Sequence, residues 1–424
     1  MIAAASGPKL THAVLHHQAS QDLLVAAKKI IGETIDNVSA DLRKISVDLH
    51  ENPEIGMQEY HAHQLLTDYL EGQGFKVTRS AAGLETAFIA EYSRGEGRRI
   101  GFCSEYDALP EIGHACGHNN IATAGLACAI AVKKLLEEGH TTGKVVLFGT
   151  PSEEPLDGKI HMVNKRVFQD NVDACMMLHP GNRNGNYYSG LAQHDFIVEY
   201  HGKPAHAGGA PWNGVNALDA ICQAWVNVGL LRQQLQESDR VHGIITNGGQ
   251  AANVVPDYTS GKFYVRAPSA ARIEELKVKV ENCFKAAALS SGCEMKLTWR
   301  KTGMCKEITQ NELLAGAYGE YFQELGGGEM PPRFIQESKV MGGSTDFGNV
   351  SACVPGIHPG YSIHCESFPH TREFAKQAGT QVAHDATMLA AKALATVGAR
   401  VLIEKDFYES VYKSWEAAVP PQFR

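Results

Sequence analysis

The sequence predicts an α/β protein built on a largely parallel sheet, with an α+β unit inserted into it. Three observations lead there. A chain of 424 residues makes two domains the natural expectation. Short apolar runs alternate with helix-period segments up to about residue 180. Between about 191 and 305 the order of elements changes to β-α-β-β-α-β, and then the α/β pattern resumes.

Residues 1–25 are expected to form a loose arm. From Ile30 to about Leu49 apolar residues recur at helical spacing (Ile35, Val38, Leu42, Ile45, Leu49), and Asn52-Pro53 ends the run. A second helix is expected from about Glu59 to Gly72, then strands at Phe75–Val77, Thr86–Tyr92 and Arg99–Cys103. A helix of small residues follows from about Asn120 to Glu138, stopped by Gly139. Lys144–Gly149 and Asp173–Leu178 read as buried strands. In the inserted unit, 195–201, 241–246, 258–267 and 294–299 read as strands. Helices are expected over 213–235 and 270–289, the latter with Ile273, Leu276, Val280 and Phe284 on one stripe. The pattern is ferredoxin-like. The division is therefore 1–190 and 306–424 for the main unit and 191–305 for the insertion, with Gly190 and the region near Gly303 as hinges. A helix over 311–325 and a long final helix, Phe374–Val397, complete the chain.

Composition narrows the function. Hydrophobic residues make up 44% and charged residues 20%, which excludes global disorder. A net charge of -8 argues against nucleic acid as a partner. Ten cysteines are scattered without a CxxC pair, so they read as mostly buried free thiols in a reducing compartment. No signal peptide is evident at the N-terminus, and the apolar run Ile121–Val132 is too short for a bilayer. A cytoplasmic protein with no membrane association is expected.

Ligand-type residues gather after successive predicted strand ends. Glu105 and Asp107 follow one strand, with His114, Cys116 and His118 in GHACGHN; Glu153-Glu154 follow the next, and His179 a third. Each is unremarkable alone, since such residues mostly cap loops or face solvent. Jointly they would lie at one rim of an open α/β sheet, where active sites form. Thiolate, imidazole and carboxylate suit zinc or manganese. One carboxylate must stay off the metal to take a proton from water and return it to a leaving amine. Adjacent glutamates permit that division.

The ordered segments ENPEIGMQE (51–59), EYDALPEIGHACGHN (105–119), TPSEEP (150–155), MLHPG (177–181), GKPAHAGGAPWNGVNALDA (202–220) and GGSTDFGNVS (342–351) resemble the M20 metallopeptidases. The nearest branch is subfamily D, the amidohydrolases, with its M20 domain-containing protein 2 and aminobenzoyl-glutamate hydrolase groups. The resemblance spans about residues 35–400. It implies a metal-dependent exopeptidase-like catalytic domain with a ferredoxin-like lid and dimerisation domain, and one or two zinc or manganese ions per chain. Cys116, His118, Glu154, His179 and His370 match the metal ligands, and Glu153 the general base. His206 matches a histidine that reaches the partner subunit's site in a homodimer and polarises the scissile carbonyl. Asn253 and Arg266 match substrate-binding positions, an arginine fork suiting a carboxylate. Asp107 matches a residue that orients a ligand.

Two departures stand out. Many M20 peptidases carry His-x-Asp where this chain has Glu105-Tyr106-Asp107, and other amidohydrolases have Asp where it has Asn119. These leave metal count and the role of Glu105 open. The expected activity is cleavage of an amide in a dipeptide or N-acyl amino acid. Amide or lactam formation at the same site, and a non-catalytic metal-binding regulator, are the alternatives. The loop 180–194 and the segment 327–340 are expected to line the substrate pocket.

Overall fold

The computed structural model describes residues 12–338 and 343–424. The strands are β1 (Lys76–Arg79), β2 (Phe88–Arg94), β3 (Arg99–Ser104), β4 (Gly143–Gly149), β5 (Ala174–Met176), β6 (His179–Gly181), β7 (Ala192–His201), β8 (Arg240–Asn247), β9 (Tyr258–Ala267), β10 (Glu294–Trp299), β11 (Gly356–Ile357) and β12 (Gly360–Ser362). Six of them form a mixed sheet in the order β1-β2-β4-β3-β5-β11. The pairings β4–β3, β3–β5 and β5–β11 are parallel, and β1–β2 and β2–β4 antiparallel. β6 and β12 continue past the sheet as a separate parallel pair.

The helix His118–Glu138 is buried along most of its length by Ala122, Ala124, Ala127, Cys128, Ala129 and Ala131. Its small side chains let it lie between β3–β4 and the helices His12–Glu51 and Gln381–Ile403. Gln381–Ile403 is long and apolar enough to cross a membrane, but 72% of its most apolar window is buried, as in a core helix.

The second sheet runs β10-β7-β9-β8, all antiparallel, with helices Ala217–Leu231 and Ala270–Ser291 packed against it. Its own core includes Phe196, Phe263, Ile273, Leu276, Val280 and Phe284. Asn216 caps the first helix through the Leu218 N–H (3.0 Å), and Ser269 the second through Arg272 N–H (3.2 Å). The chain enters and leaves this unit side by side: Gln193 and Cys305 exchange backbone hydrogen bonds of 2.8 and 2.9 Å.

Some expectations need correction. The N-terminal segment is helical from His12, so the loose arm does not extend to residue 25; Leu24, Ala27 and Ile31 already face the core. The final helix is not continuous from Phe374. It breaks at Gly379, and Thr380 caps a new helix that runs to Ile403. A further helix, Lys405–Ala418, follows. The strand expected over 173–178 is shorter, β5 covering only Ala174–Met176, and His179 opens the separate short strand β6. All ten cysteines are free, and seven are buried.

Candidate metal centre

The strand ends converge as expected, together with one loop from the far end of the chain. Donor atoms of Cys116, His118 and His179 lie within 4.8 Å of one another, as do those of Cys116, Glu154 and His370, and those of His118, Glu153 and Glu154. His118 opens its helix directly after Gly117, whose φ is +80° and where a Cβ would stand 2.6 Å from Pro180 Cγ. Glycine is therefore required between Cys116 and His118. His370 also adopts a left-handed backbone (φ 70°), and its N–H is held by Ala115 O at 2.8 Å, beside Cys116.

Each donor is braced. Asp107, fully buried, places Oδ1 3.1 Å from His118 Nδ1, while Oδ2 accepts the Glu154 N–H at 3.1 Å. Burial alone would raise this carboxyl, but the His118 charge and these hydrogen bonds hold it below its ordinary range. His179 has Nδ1 2.7 Å from Pro180 O and Nε2 3.4 Å from Cys116 Sγ. His370 Nε2 lies 3.0 Å from Glu154 Oε1, on the open side of the cluster. Ser152, just before the two glutamates, has φ 58°, and its N–H donates to buried Glu59 at 2.8 Å. Glu59 is the last residue of the ENPEIGMQE segment, which thus supports the turn carrying Glu153.

The donor set fits a divalent cation. Burial, then Glu154, Glu153 and Glu105, push the Cys116 thiol well up. Burial and the same crowd of carboxylates raise Glu153. His118 Nε2 and Glu105 Oε2 are buried, 3.4 Å apart, and make no hydrogen bond. Buried polar atoms without hydrogen bonds, beside carboxylates that crowd one another, are what a bound cation relieves. His114 does not join them. It is buried beside His50, with ring centroids 6.4 Å apart, and burial depresses it to about 3.

The substrate candidates are dispersed. His206 and Asn253 are exposed on the second unit, and among the described residues no hydrogen bond or ion pair joins either to the metal cluster. Arg266 is partly buried and reaches both ways, its Nε donating to His242 Nε2 (3.3 Å) and its Nη1 to Ser344 Oγ (3.4 Å). Within loop 180–194, Asn186 and Tyr187 donate their N–H groups to Gln336 Oε1 at 2.8 Å, so this loop packs against the segment 327–340. Residues 339 and 340 of the expected pocket segment and Gly342 of the GGSTDFGNVS motif lie outside the described residues. Sequence reasoning assigns no role to Lys159, Asp346 or His358, and includes Tyr188 only as part of the loop 180–194. Asp346 lies inside a quoted motif, and Lys159 only five residues beyond Glu154.

A cluster of side chains that could hold a divalent metal, at the carboxyl ends of strands in a mixed α/β sheet and with a carboxylate beside it, is the arrangement of a metallohydrolase. Residues 101–389 match peptidase family M20/M25/M40, and the chain belongs to that family. It is a hydrolase of peptide or amide bonds. The chain is similar to the Xaa-Arg dipeptidase of Mus musculus, at 39% identity over 92% of both chains. It is also similar to a component chain of the p-aminobenzoyl-glutamate hydrolase of Escherichia coli, at 27% identity over 91% of this chain and 95% of that one. Among solved structures, an aminobenzoyl-glutamate utilization protein from Klebsiella pneumoniae matches with a TM-score of 0.68 and 20% identity, covering 86% of this chain and 96% of that one. A dinuclear metal binding peptidase of family M20 from Bacillus subtilis matches with a TM-score of 0.64 and 19% identity, covering 87% and 99%.

Proposed function

We propose that this chain is a metal-dependent amidohydrolase that cleaves the amide bond of a dipeptide or N-acyl amino acid, with Glu153 as general base. The observation that carries this is the meeting of Cys116, His118, Glu154, His179 and His370 with Glu153 at its edge. Those five residues would hold one or two Zn2+ or Mn2+ ions. When bound, the metal polarises the substrate carbonyl and makes water acidic enough to be deprotonated near neutral pH. Glu153 takes that proton and passes it to the departing amine. Asp107 keeps His118 oriented, Nδ1 toward itself and Nε2 toward the cluster. Arg266 and Asn253 receive the substrate carboxylate or carbonyl.

We read 191–305 as an inserted lid that also forms a homodimer. β8 is an open edge, and it exposes Ile244 and Ile245 beside Trp225 of the helix Ala217–Leu231, which also exposes Val226 and Leu230. His206 then serves the partner subunit. Its Nδ1 accepts the N–H groups of Gly208 (3.2 Å) and Gly209 (3.0 Å), which leaves the hydrogen on Nε2, a donor for an oxyanion. The free thiols support a cytoplasmic location.

The similarity to Xaa-Arg dipeptidases puts dipeptides ending in arginine first in a substrate panel, with N-aroyl glutamates second. The test is an LC–MS screen of metal-reconstituted protein against both, plus other dipeptides and N-acyl amino acids, with Glu153→Gln alongside. Cleavage that disappears in the variant is expected. Equal turnover by the variant would remove Glu153 as base. No turnover by the unmodified protein would turn attention to amide formation or a regulatory role.

A further inference from the structure

We propose that Lys159 is a resident cation of this site: its ammonium stands where an ion would otherwise sit among Glu105, Glu153 and Asp346, and positions these carboxylates against the metal ligands. The proposal rests on reading Cys116, His118, Glu154, His179 and His370 as those ligands.

Lys159 has no exposed surface. Its Nζ donates to Glu105 Oε1 and, at 2.7 Å, to Asp346 Oδ1; its backbone N–H donates to Asp346 Oδ2, also at 2.7 Å. Carboxylate oxygens of Glu105, Glu153 and Asp346 lie within 4.8 Å of one another, a grouping that by composition would suit a hard divalent ion. Glu105 and Asp346 are buried and Glu153 half-buried, and carboxylates this close favour a positive charge in their midst. Burial opposes the lysine charge, yet Asp346, Glu105 and Glu153 more than offset it and keep the amine protonated.

The backbone is built for this. Lys159 is the second residue of the helix Gly158–Asn164, which Asp157 alone separates from the Glu153–Leu156 turn. A Cβ on Gly158 would stand 1.9 Å from Pro151 O, so only glycine lets the chain fold back and send the lysine inward. Glu105 arrives from the end of β3 and Asp346 from the start of the helix Phe347–Cys353. One ammonium thus joins three distant segments, and the third reaches the second unit through Ser344 and Arg266. The departure from His-x-Asp at Glu105 acquires a reason. Oε1 of Glu105 is committed to Lys159, and only Oε2 faces His118.

Three variants test it: Lys159→Ala, Lys159→Met and Glu105→Gln/Lys159→Met. After loading with Mn2+ and dialysis into Mg2+, bound ions are counted by ICP–MS and melting is followed against Mg2+ concentration. Lys159→Ala is expected to hold one more divalent ion per chain than the unmodified protein and to melt higher as Mg2+ rises, while the unmodified protein does not respond. Lys159→Met should melt below the unmodified protein, and Glu105→Gln/Lys159→Met should regain part of that loss. On a cleaved substrate, kcat of Lys159→Met should fall about 10- to 100-fold with KM little changed, the range for groups that orient metal-site residues. Equal ion counts and Mg2+ responses in Lys159→Ala and unmodified protein would overturn the proposal. So would a double variant that melts no higher than Lys159→Met, or failure of both Met variants to fold. Ion count and melting need no substrate, so a failed amidase reading would leave this test intact.

Discussion

Asp107→Asn isolates the device that aims the first histidine ligand. Both carboxylate oxygens of Asp107 accept, one from His118 Nδ1–H and the other from the Glu154 N–H, each at 3.1 Å. Asparagine fills the same space but offers one acceptor, and its NH2 must face one of those two donors. Losing a hydrogen bond to a charged acceptor costs about 1.5–3 kcal/mol. A 10- to 100-fold loss of metal affinity, usual when a ligand's partner is removed, corresponds to about 1.4–2.7 kcal/mol. The two ranges overlap near 2 kcal/mol, or about thirtyfold in affinity. The assay is chelator competition for Co2+, followed by its visible absorption, on the variant and unmodified protein at one pH. Affinity within threefold of the unmodified protein would refute the reasoning, because His118 would then be oriented without Asp107.

Other outcomes follow from the same geometry. Glu153→Gln should lower kcat by about 10²- to 10⁴-fold, the contribution of a positioned general base, while ICP–MS finds its metal content unchanged. Gly117→Ala, forced to a φ of +80° and against Pro180, should lose about 1–2 kcal/mol in chemical denaturation together with metal affinity. Arg300 pairs with Asp157, three residues beyond Glu154, and with Asp195 of β7 at 3.0 Å; Arg300→Met leaves Asp157 uncompensated and Asp195 with only Lys262 at 3.8 Å, and should cost about 3 kcal/mol, read as a lowered urea midpoint. His114 is buried neutral and titrates near 3, against about 6.5 when unfolded. The unfolded chain therefore binds the extra proton first. The contribution is intact above about pH 6.5 and is lost as pH falls toward 3, about 2 kcal/mol by pH 5. Urea denaturation of His114→Phe across that window should show a correspondingly flatter acid slope.

How far the sequence reveals this molecule depends on the range over which each feature is decided. The strands 258–267 and 294–299 match their expected bounds, because alternation and flanking turns are local signals. The helix from Ala270 is equally local, announced by Ser269 as cap and a four-residue apolar stripe. The break at Gly379 escapes a periodicity reading because the apolar period continues through it; only the Thr380 cap marks the restart. At the site, Cys116, His118, Glu154 and His179 are legible since each follows a strand end in one motif. Lys159 is not. A lysine after a pair of glutamates reads as a surface charge, and its burial follows only from folding residues 105, 159 and 346 together. His114, an apparent ligand in the same GHACGHN segment, points away because the tight turn at Gly117 selects Cys116 and His118 instead.

The paired crossing at Gln193 and Cys305 has a mechanical consequence. Two separated tethers would resist rotation in most directions, and a single strand would resist almost none. Two tethers zipped by reciprocal hydrogen bonds behave as a strap: stiff against shear and twist, compliant in bending. Any swing of the four-stranded unit over the proposed metal ligands is thereby reduced to one axis, across that strap. Arg300 emerges from β10 at the strap's edge and grips Asp157, so it acts as a stop whose position registers the bend at the turn bearing Glu153.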